Sequence, residues 1–294
     1  MQPIEGSYVA LITPFRNGRI DEGRLRRLVD FHIKNRTDGI VPCGTTGESP
    51  TLSHEEHKRV IRIVINQARG RIPVMAGTGS NSTDEALELT ADAKKSGADS
   101  ALLVCPYYNR PMQRGMYLHF GRIASRVKIL IFIYNIPSRT GVNLEPETLA
   151  MLSRDFSNIA GVKEASGSVD QARRIIKLCG RNFCLLSGDD ALTLPMMAVG
   201  GRGVISVLAN IMPGEVSRMV RMFLTGDAGA AMKIHRRLLP LMKALFIETN
   251  PIPLKTAMML MKMDSGEMRL PLSPMSAQNL VKLKKTLRQF DLLK

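Results

Sequence analysis

Lys163 stands where burial should discourage a lysine. The run Ile159-Ala160-Gly161-Val162-Lys163-Glu164 reads as a short buried strand. An ammonium at the end of such a strand carries a desolvation cost unless it is paired or put to use. In water a lysine has a pKa of about 10.4, so supplying the neutral amine near pH 7 costs roughly 4–5 kcal/mol. Burial against an apolar wall or beside another cation can provide that shift. A neutral amine fixed at a strand end attacks a ketone or aldehyde, and the product is a Schiff base. Two plainer roles compete on position alone: a side chain that snorkels to solvent, or one paired with Glu164.

The residues that follow other apolar runs decide between these roles. They are Gly44-Thr45-Thr46-Gly47-Glu48-Ser49, Pro106-Tyr107-Tyr108-Asn109-Arg110-Pro111, Tyr134-Asn135-Ile136-Pro137-Ser138-Arg139-Thr140-Gly141 and Ser187-Gly188-Asp189-Asp190. Three of the chain's five tyrosines fall in this set, a concentration that packing does not explain. The Thr45-Thr46 turn, flanked by glycines, can offer backbone N–H groups and hydroxyls to a carboxylate. Tyr134 supplies a phenol that can pass a proton to and from a carbonyl or carbinolamine oxygen. Arg139 supplies a planar fork for a second carboxylate. Singly each has a bland alternative: a polar turn, a tyrosine with its hydroxyl in water, an exposed loop arginine. Together they describe a site for carbonyl chemistry on anionic substrates.

Such a set converges only if the runs are parallel strands that end on one side. Strands are expected near Ser7–Ile12, Gly39–Cys43, Val74–Gly77, Ser100–Cys105, Ile129–Tyr134, Gly161–Lys163, Cys184–Ser187 and Gly203–Val207, with helical periods between them. Eight strands separated by single helices predict an α/β chain closed as a (β/α)8 TIM barrel, whose active site lies at the carboxyl ends of the strands. Ser53-His54-Glu55-Glu56 is a capping box, and Ser82-Thr83-Asp84-Glu85 suits another helix start. Beyond about Thr225 the strand signals stop. Ala230–Leu245, Ile252–Met261 and Ser276–Phe290 then read as three helices, apolar on one side and punctuated by Pro251, Pro253, Pro271 and Pro274. The expected organisation is a catalytic barrel over residues 1–224 and a helical appendage over 225–294, packed on the barrel.

Several other functions lose support. His54-Glu55-Glu56-His57 resembles a zinc helix, but its histidines are at i and i+3 rather than i and i+4, with no third ligand nearby. Gly77-Thr78-Gly79 lacks the frame of a dinucleotide site. Cys43, Cys105, Cys179 and Cys184 form neither a CxxC pair nor a metal cluster and suit free thiols in a reducing cytoplasm. No metal is expected. No apolar run reaches the roughly 20 residues that span a bilayer, and the first residues do not form a signal peptide. The net charge of +15 raises nucleic acid as a partner. The basic residues are nevertheless spread along the chain, aromatics make up only 5%, and no recognition motif accompanies them. A non-catalytic nucleic-acid-binding barrel is therefore a remote alternative.

GTTGES, PYYNRP, YNIPSRTG, GVKEASG, SGDDA, GVISV, NPIP and RLPL, in this order and over essentially the whole chain, resemble the dihydrodipicolinate synthase/N-acetylneuraminate lyase family of class I aldolases. The form GTTGE and the arginine inside YNIPSRTG look like the synthase side of that family rather than the lyase side. The resemblance implies condensation of pyruvate with L-aspartate 4-semialdehyde to 4-hydroxy-tetrahydrodipicolinate, the step that opens diaminopimelate and lysine biosynthesis. The alternative on the same scaffold is another pyruvate-dependent lyase that cleaves sialic acid or a hydroxy-oxo acid. No cofactor is implied beyond a covalent pyruvate imine on Lys163. By the same resemblance Tyr134, Thr45 and Tyr108 form a proton relay, with Tyr108 reaching into a neighbouring subunit's site. Thr46 binds the pyruvate carboxylate, Arg139 that of the semialdehyde, and Gly188 and Ile205 line the pocket. A homo-oligomer is implied, a tetramer built as a dimer of dimers. His54, His57, Asn81, Glu85 and Tyr107 match positions that bind L-lysine as an inhibitor in regulated members. Pro50 after GTTGES, Leu208 after GVISV and the basic balance depart from the family's usual pattern.

Overall fold

A computed structural model describes residues 4–180 and 182–294. Eight parallel strands form its centre: β1 (Gly6–Ala10), β2 (Gly39–Val41), β3 (Met75–Gly77), β4 (Ser100–Val104), β5 (Leu130–Asn135), β6 (Ile159–Glu164), β7 (Cys184–Ser187) and β8 (Gly203–Ser206). Hydrogen bonding runs β2-β1-β8-β7-β6-β5-β4-β3. A bridge between Ile40 and Val74 closes the ring, reinforced by the Gly77 amide donating to the Pro42 carbonyl at 3.0 Å. This is the TIM barrel that the sequence predicts. Its strands are buried on both faces, as parallel strands flanked by helices must be, which is why they read as continuous apolar runs.

Alternation along each strand divides the apolar residues between two places. Tyr8, Ala10, Val41, Met75, Leu102, Phe132, Tyr134, Leu186 and Ile205 fill the barrel interior. Val9, Ile40, Val74 and Val204 face outward against helices on one flank, and Leu103, Ile131, Ile133 and Val162 do so on the other. Gly161 is required by close approach: a Cβ there would lie 2.3 Å from the Phe132 ring and 2.4 Å from the Cys184 carbonyl.

The surrounding helices are α1 (Glu22–Lys34), α2 (His54–Ala68), α3 (Thr83–Lys95), α4 (Gln113–Arg126), α5 (Pro146–Asp155), α6 (Val169–Cys179), α7 (Thr193–Ala198) and α8 (Pro213–Leu224). The expected capping box at Ser53 and Glu56 is present, and Ser82 accepts the Glu85 amide at the start of α3. A two-stranded hairpin, Phe15–Arg16 with Arg19–Ile20, and a single turn, Pro137–Thr140, were not anticipated. Both are too short to leave a periodic signal.

Three helices follow: α9 (Ala228–Ala244), α10 (Ile252–Leu260) and α11 (Ala277–Gln289). Their bounds lie within two residues of those expected. Leu238, Leu241, Leu254, Leu283 and Leu287 join the same apolar cluster as Val9, Leu11 and Ile40 of the barrel. The expectation that these helices are apolar on one side fails for α10. Every residue from Ile252 to Met258 is buried, Lys255 among them, because the helix is wedged into the body of the protein rather than laid on it.

Candidate active site

Parallel register sets the first pair of functional groups side by side. Tyr134 of β5 is the registered partner of Lys163 of β6, and both project into the barrel. The Lys163 ammonium position lies 4.0 Å from the centre of the Tyr134 ring. Only 6% of Lys163 is exposed. Burial brings its pKa down to about 7, opposed by the carboxylate of Asp190 and aided by the cationic Arg139. Glu164 is not its partner. It faces the helices, where Asn135, the Ser166 amide and Gln171 donate to its carboxylate at 3.1, 2.7 and 3.2 Å. Burial likewise pushes the Tyr134 phenol up to about 12, while Arg139 and a hydrogen bond with Thr45 pull the other way. The lysine is therefore available as a neutral nucleophile near pH 7, and the phenol beside it keeps its proton.

The turn after β2 brings Thr45 to Tyr134 and buries Thr46. Among the described residues, the amides of Thr45 and Thr46 donate to no protein group, which leaves them to an anion. Asn250, just before α10, donates to the Thr46 hydroxyl at 3.0 Å, and Arg139 donates to the Asn250 carbonyl at 3.2 Å. Arg139 is exposed at the mouth. Gly188 follows β7 beside the lysine: a Cβ there would fall 2.6 Å from that of Ala165 and 3.1 Å from Lys163 Cε. Ile205 of β8 is buried in the barrel interior. Tyr108 is not brought to this site. It is 91% exposed, in the left-handed region at φ +69°, and does not line the cavity that holds Thr45, Tyr134 and Arg139.

His54, His57, Glu85 and Tyr107 line a cavity of about 400 Å3 together with Thr45, Tyr134 and Arg139. His54 Nε2 bonds Glu85, as does the Ser80 hydroxyl. Asn81 donates to the Tyr107 carbonyl at 3.2 Å. His57 is buried with a hydrogen bond to the Gly77 backbone, and burial lowers its pKa to about 4. Its Nδ1 has no partner among the described residues. The two sets of residues thus share one continuous space. No group of three or more His, Cys, Asp or Glu that could hold a metal occurs among the described residues.

Sequence reasoning assigned no role to four contributors. Asp190, fully buried, accepts from the Ser206 hydroxyl at 2.5 Å and from the Val207 and Leu208 amides at 2.9 and 3.0 Å. Glu48 and Lys255 form an ion pair at 2.6 Å with both side chains inaccessible to solvent. Asn250 reaches Thr46 from more than 200 residues away. Lys255 alone left a legible signal: a single charge inside the apolar run Ile252-Pro253-Leu254-Lys255-Thr256-Ala257-Met258.

A TIM barrel with a buried lysine near a strand end, its pKa lowered to about 7, fits a Schiff-base-forming lyase. The profile of the Dihydrodipicolinate synthetase family matches residues 3–290, and the chain belongs to that family. It is 53% identical to the 4-hydroxy-tetrahydrodipicolinate synthase of Nitratidesulfovibrio vulgaris (strain DP4) over 98% of its length and 99% of the relative's. The dihydrodipicolinate synthase structure from Aquifex aeolicus superposes with a TM-score of 0.97 at 52% identity, covering 98% of this chain and 99% of that one. The chloride-inhibited synthase of Acinetobacter baumannii, complexed with pyruvate, superposes with a TM-score of 0.96 at 42% identity, over 99% and 100% of the two chains. The synthase of Cyanidioschyzon merolae with lysine bound gives 0.96 at 40%, over 98% and 99%. The activity of this chain is 4-hydroxy-tetrahydrodipicolinate synthesis, the step that opens lysine biosynthesis.

Lys163 as the imine-forming amine predicts a definite pH dependence. Below about pH 7 Lys163 is an ammonium and cannot attack, and above it the neutral form dominates. Single-turnover trapping with pyruvate and borohydride should therefore quicken about tenfold per unit up to near pH 7 and then level off. A flat profile from pH 5.5 to 9, or a rise continuing towards 10, contradicts this assignment.

Proposed function

We propose that Lys163 carries pyruvate through this reaction as a covalent imine. The observation that carries the reading is the placement of Lys163, buried and lowered to about 7, against the protonated phenol of Tyr134. The neutral amine adds to C2 of pyruvate, and the carbinolamine oxygen leaves as water after taking protons. Loss of a C3 proton then gives an enamine, whose C3 bonds to the aldehyde carbon of aspartate semialdehyde. The semialdehyde's own amine next displaces Lys163 at C2, which closes the ring and frees the enzyme. Tyr134, with Thr45 close to its phenol, moves the protons at the carbinolamine oxygen.

The free amides of Thr45 and Thr46 and the Thr46 hydroxyl receive the pyruvate carboxylate. Arg139, exposed at the mouth and anchored by the Asn250 carbonyl, receives that of the semialdehyde. Gly188 leaves room beside Lys163 for the bound pyruvate, and Ile205 forms the apolar floor. Residues 1–224 are the catalytic barrel, and residues 225–294 complete its site through Asn250. Tyr108, exposed and held in a strained backbone conformation, joins the relay of a neighbouring subunit in a tetramer that is a dimer of dimers. Its four cysteines are free, as a reducing cytoplasm allows. Of the described helices, none is long and apolar enough to cross a membrane.

L-lysine is the inhibitor read at the far end of the shared cavity. Glu85 offers a carboxylate for an ammonium, with His54, His57, Asn81 and Tyr107 around it. The lysine-bound synthase from C. merolae supports this reading.

Borohydride reduction in the presence of pyruvate should label Lys163 and no other lysine, read by peptide mass spectrometry. Labelling elsewhere, or none at saturating pyruvate, rejects the imine. Arg139→Ala should raise KM for the semialdehyde about ten- to a hundredfold while leaving that for pyruvate within a few-fold. Equal effects on both substrates assign Arg139 to holding the mouth together through Asn250. Millimolar L-lysine should slow turnover of the wild type and not of Glu85→Ala. An unchanged wild-type rate, or inhibition that survives in the variant, rejects the lysine site while leaving the chemistry at Lys163 intact.

A further inference from the structure

The Thr45-Thr46 turn is held from behind by groups that cannot reach substrate. Thr13 donates its hydroxyl to the Gly47 carbonyl at 2.7 Å. Glu48, the next residue, sits in the left-handed region at φ +52°, where a side chain other than glycine's is strained. Its carboxylate is spoken for on both oxygens: Lys255 of α10 donates to one at 2.6 Å and the Arg269 amide to the other at 3.0 Å. Lys255 also donates to the Thr13 carbonyl at 2.9 Å and lies 4.5 Å from the centre of the Phe15 ring. Arg269 stacks over the same ring at 4.4 Å and grips Glu56 at the start of α2 with two bonds of 2.6 Å.

An ion pair withdrawn completely from water is a poor source of stability, because its desolvation offsets its attraction. Apolar residues of like volume often serve the fold as well or better. What such a pair does supply is geometry, since each charge tolerates only a narrow arrangement of partners. Here the geometry is imposed on the last residue of the turn that presents Thr45 to Tyr134 and the free amides to an anion.

We infer that Glu48 and Lys255 are positioning residues for catalysis: their buried pair, tied to Thr13, clamps the Thr45-Thr46 turn in the arrangement that binds the pyruvate carboxylate and relays protons with Tyr134. This rests on the roles proposed above for Thr45 and Thr46. The clamp makes α10 part of the catalytic apparatus although only Asn250, at its approach, comes near the site. It also explains a strained non-glycine residue at position 48: glycine would relieve the backbone but leave Lys255 without its carboxylate.

The test separates position from stability. Glu48→Gln keeps the side-chain size and removes the charge, and Glu48→Gln with Lys255→Met removes both charges together. Thermal unfolding, borohydride trapping at Lys163, and KM and kcat for pyruvate are measured for each in the full-length protein. The double variant should unfold at or near the wild-type temperature, still be trapped at Lys163, and show kcat/KM for pyruvate reduced about ten- to a hundredfold, the loss expected for a displacement of about 1 Å at the reacting groups. Wild-type kcat/KM in a double variant that folds overturns the inference. So does recovery of activity in step with recovery of melting temperature, or failure of both variants to fold, since either assigns the pair to the fold alone. Failure of wild-type trapping at Lys163 instead removes the reading on which the inference rests.

Discussion

The desolvation of one amine organises this molecule. Lys163 must be dry enough to lose its proton near pH 7, yet lie where a small anion can reach it. A strand end in a closed parallel barrel meets both demands, because the strand backbone satisfies its own hydrogen bonds while the side chain faces an interior lined by Tyr134, Phe132 and Leu186. A carboxylate nearby threatens the arrangement, since it restores the ammonium. Asp190 is such a carboxylate, but it is bound by Ser206 and two backbone amides. Those bonds fix its charge at a distance where it only moderates the effect of burial, and Arg139 adds to that effect from the mouth.

Rigid strands place Lys163 and Tyr134, whereas irregular backbone places the groups proposed to meet substrate carboxylates, Thr45, Thr46 and Arg139. Four of the nine described non-glycine residues in the left-handed region lie where the chain leaves two of the strands: Cys43 at φ +56° and Glu48 after β2, Tyr108 and Arg110 at φ +69° and +45° after β4. Each costs about 1–3 kcal/mol, and such conformations persist only where surrounding contacts over-determine them. The contacts for Glu48 are the ones supplied by Lys255 and Arg269. The region after Thr225 is thus more than a cover for the barrel, because it stabilises turns that the barrel alone leaves strained.

The sequence conveyed the barrel because buried parallel strands and their caps are local signals. The runs around Ile133 and Val162 and the box at Ser53 announce themselves within a few residues. The proposed reactive set rests on the same kind of local signal: Tyr134 and Lys163 lie near the ends of strands, Thr45 and Gly188 come just after them, and one rule about strand ends groups them. Contacts made across the whole chain were illegible. Nothing near Asn250 says that it will meet Thr46, and Lys255 was passed over although the logic that singled out Lys163 applied to it equally. Two buried lysines therefore stand in opposite conditions. Glu48 pairs with Lys255, and among the described residues no carboxylate forms an ion pair with Lys163. Sequence alone does not distinguish them, since the difference lies in which acid the fold brings within 3 Å.

Local pairing, rather than the net charge of +15, decides where an anion settles on this protein. Much of the excess lies on α9 and α11, which contain no acidic residue and lie on the outside of the barrel. At that distance salt screens the field over about 8–10 Å, so it helps an encounter but does not define a site. Near the site the carboxylates are engaged one by one: Glu48 by the cation of Lys255, Glu164 by hydrogen bonds from Asn135, Gln171 and an amide, Asp190 by Ser206 and two amides, and Glu85 by His54 and Ser80. What they leave uncompensated is the Arg139 guanidinium and the amides of the Thr45-Thr46 turn. On the proposed reading, a substrate carrying a carboxylate is drawn to these donors, while the carboxylates around them are already engaged.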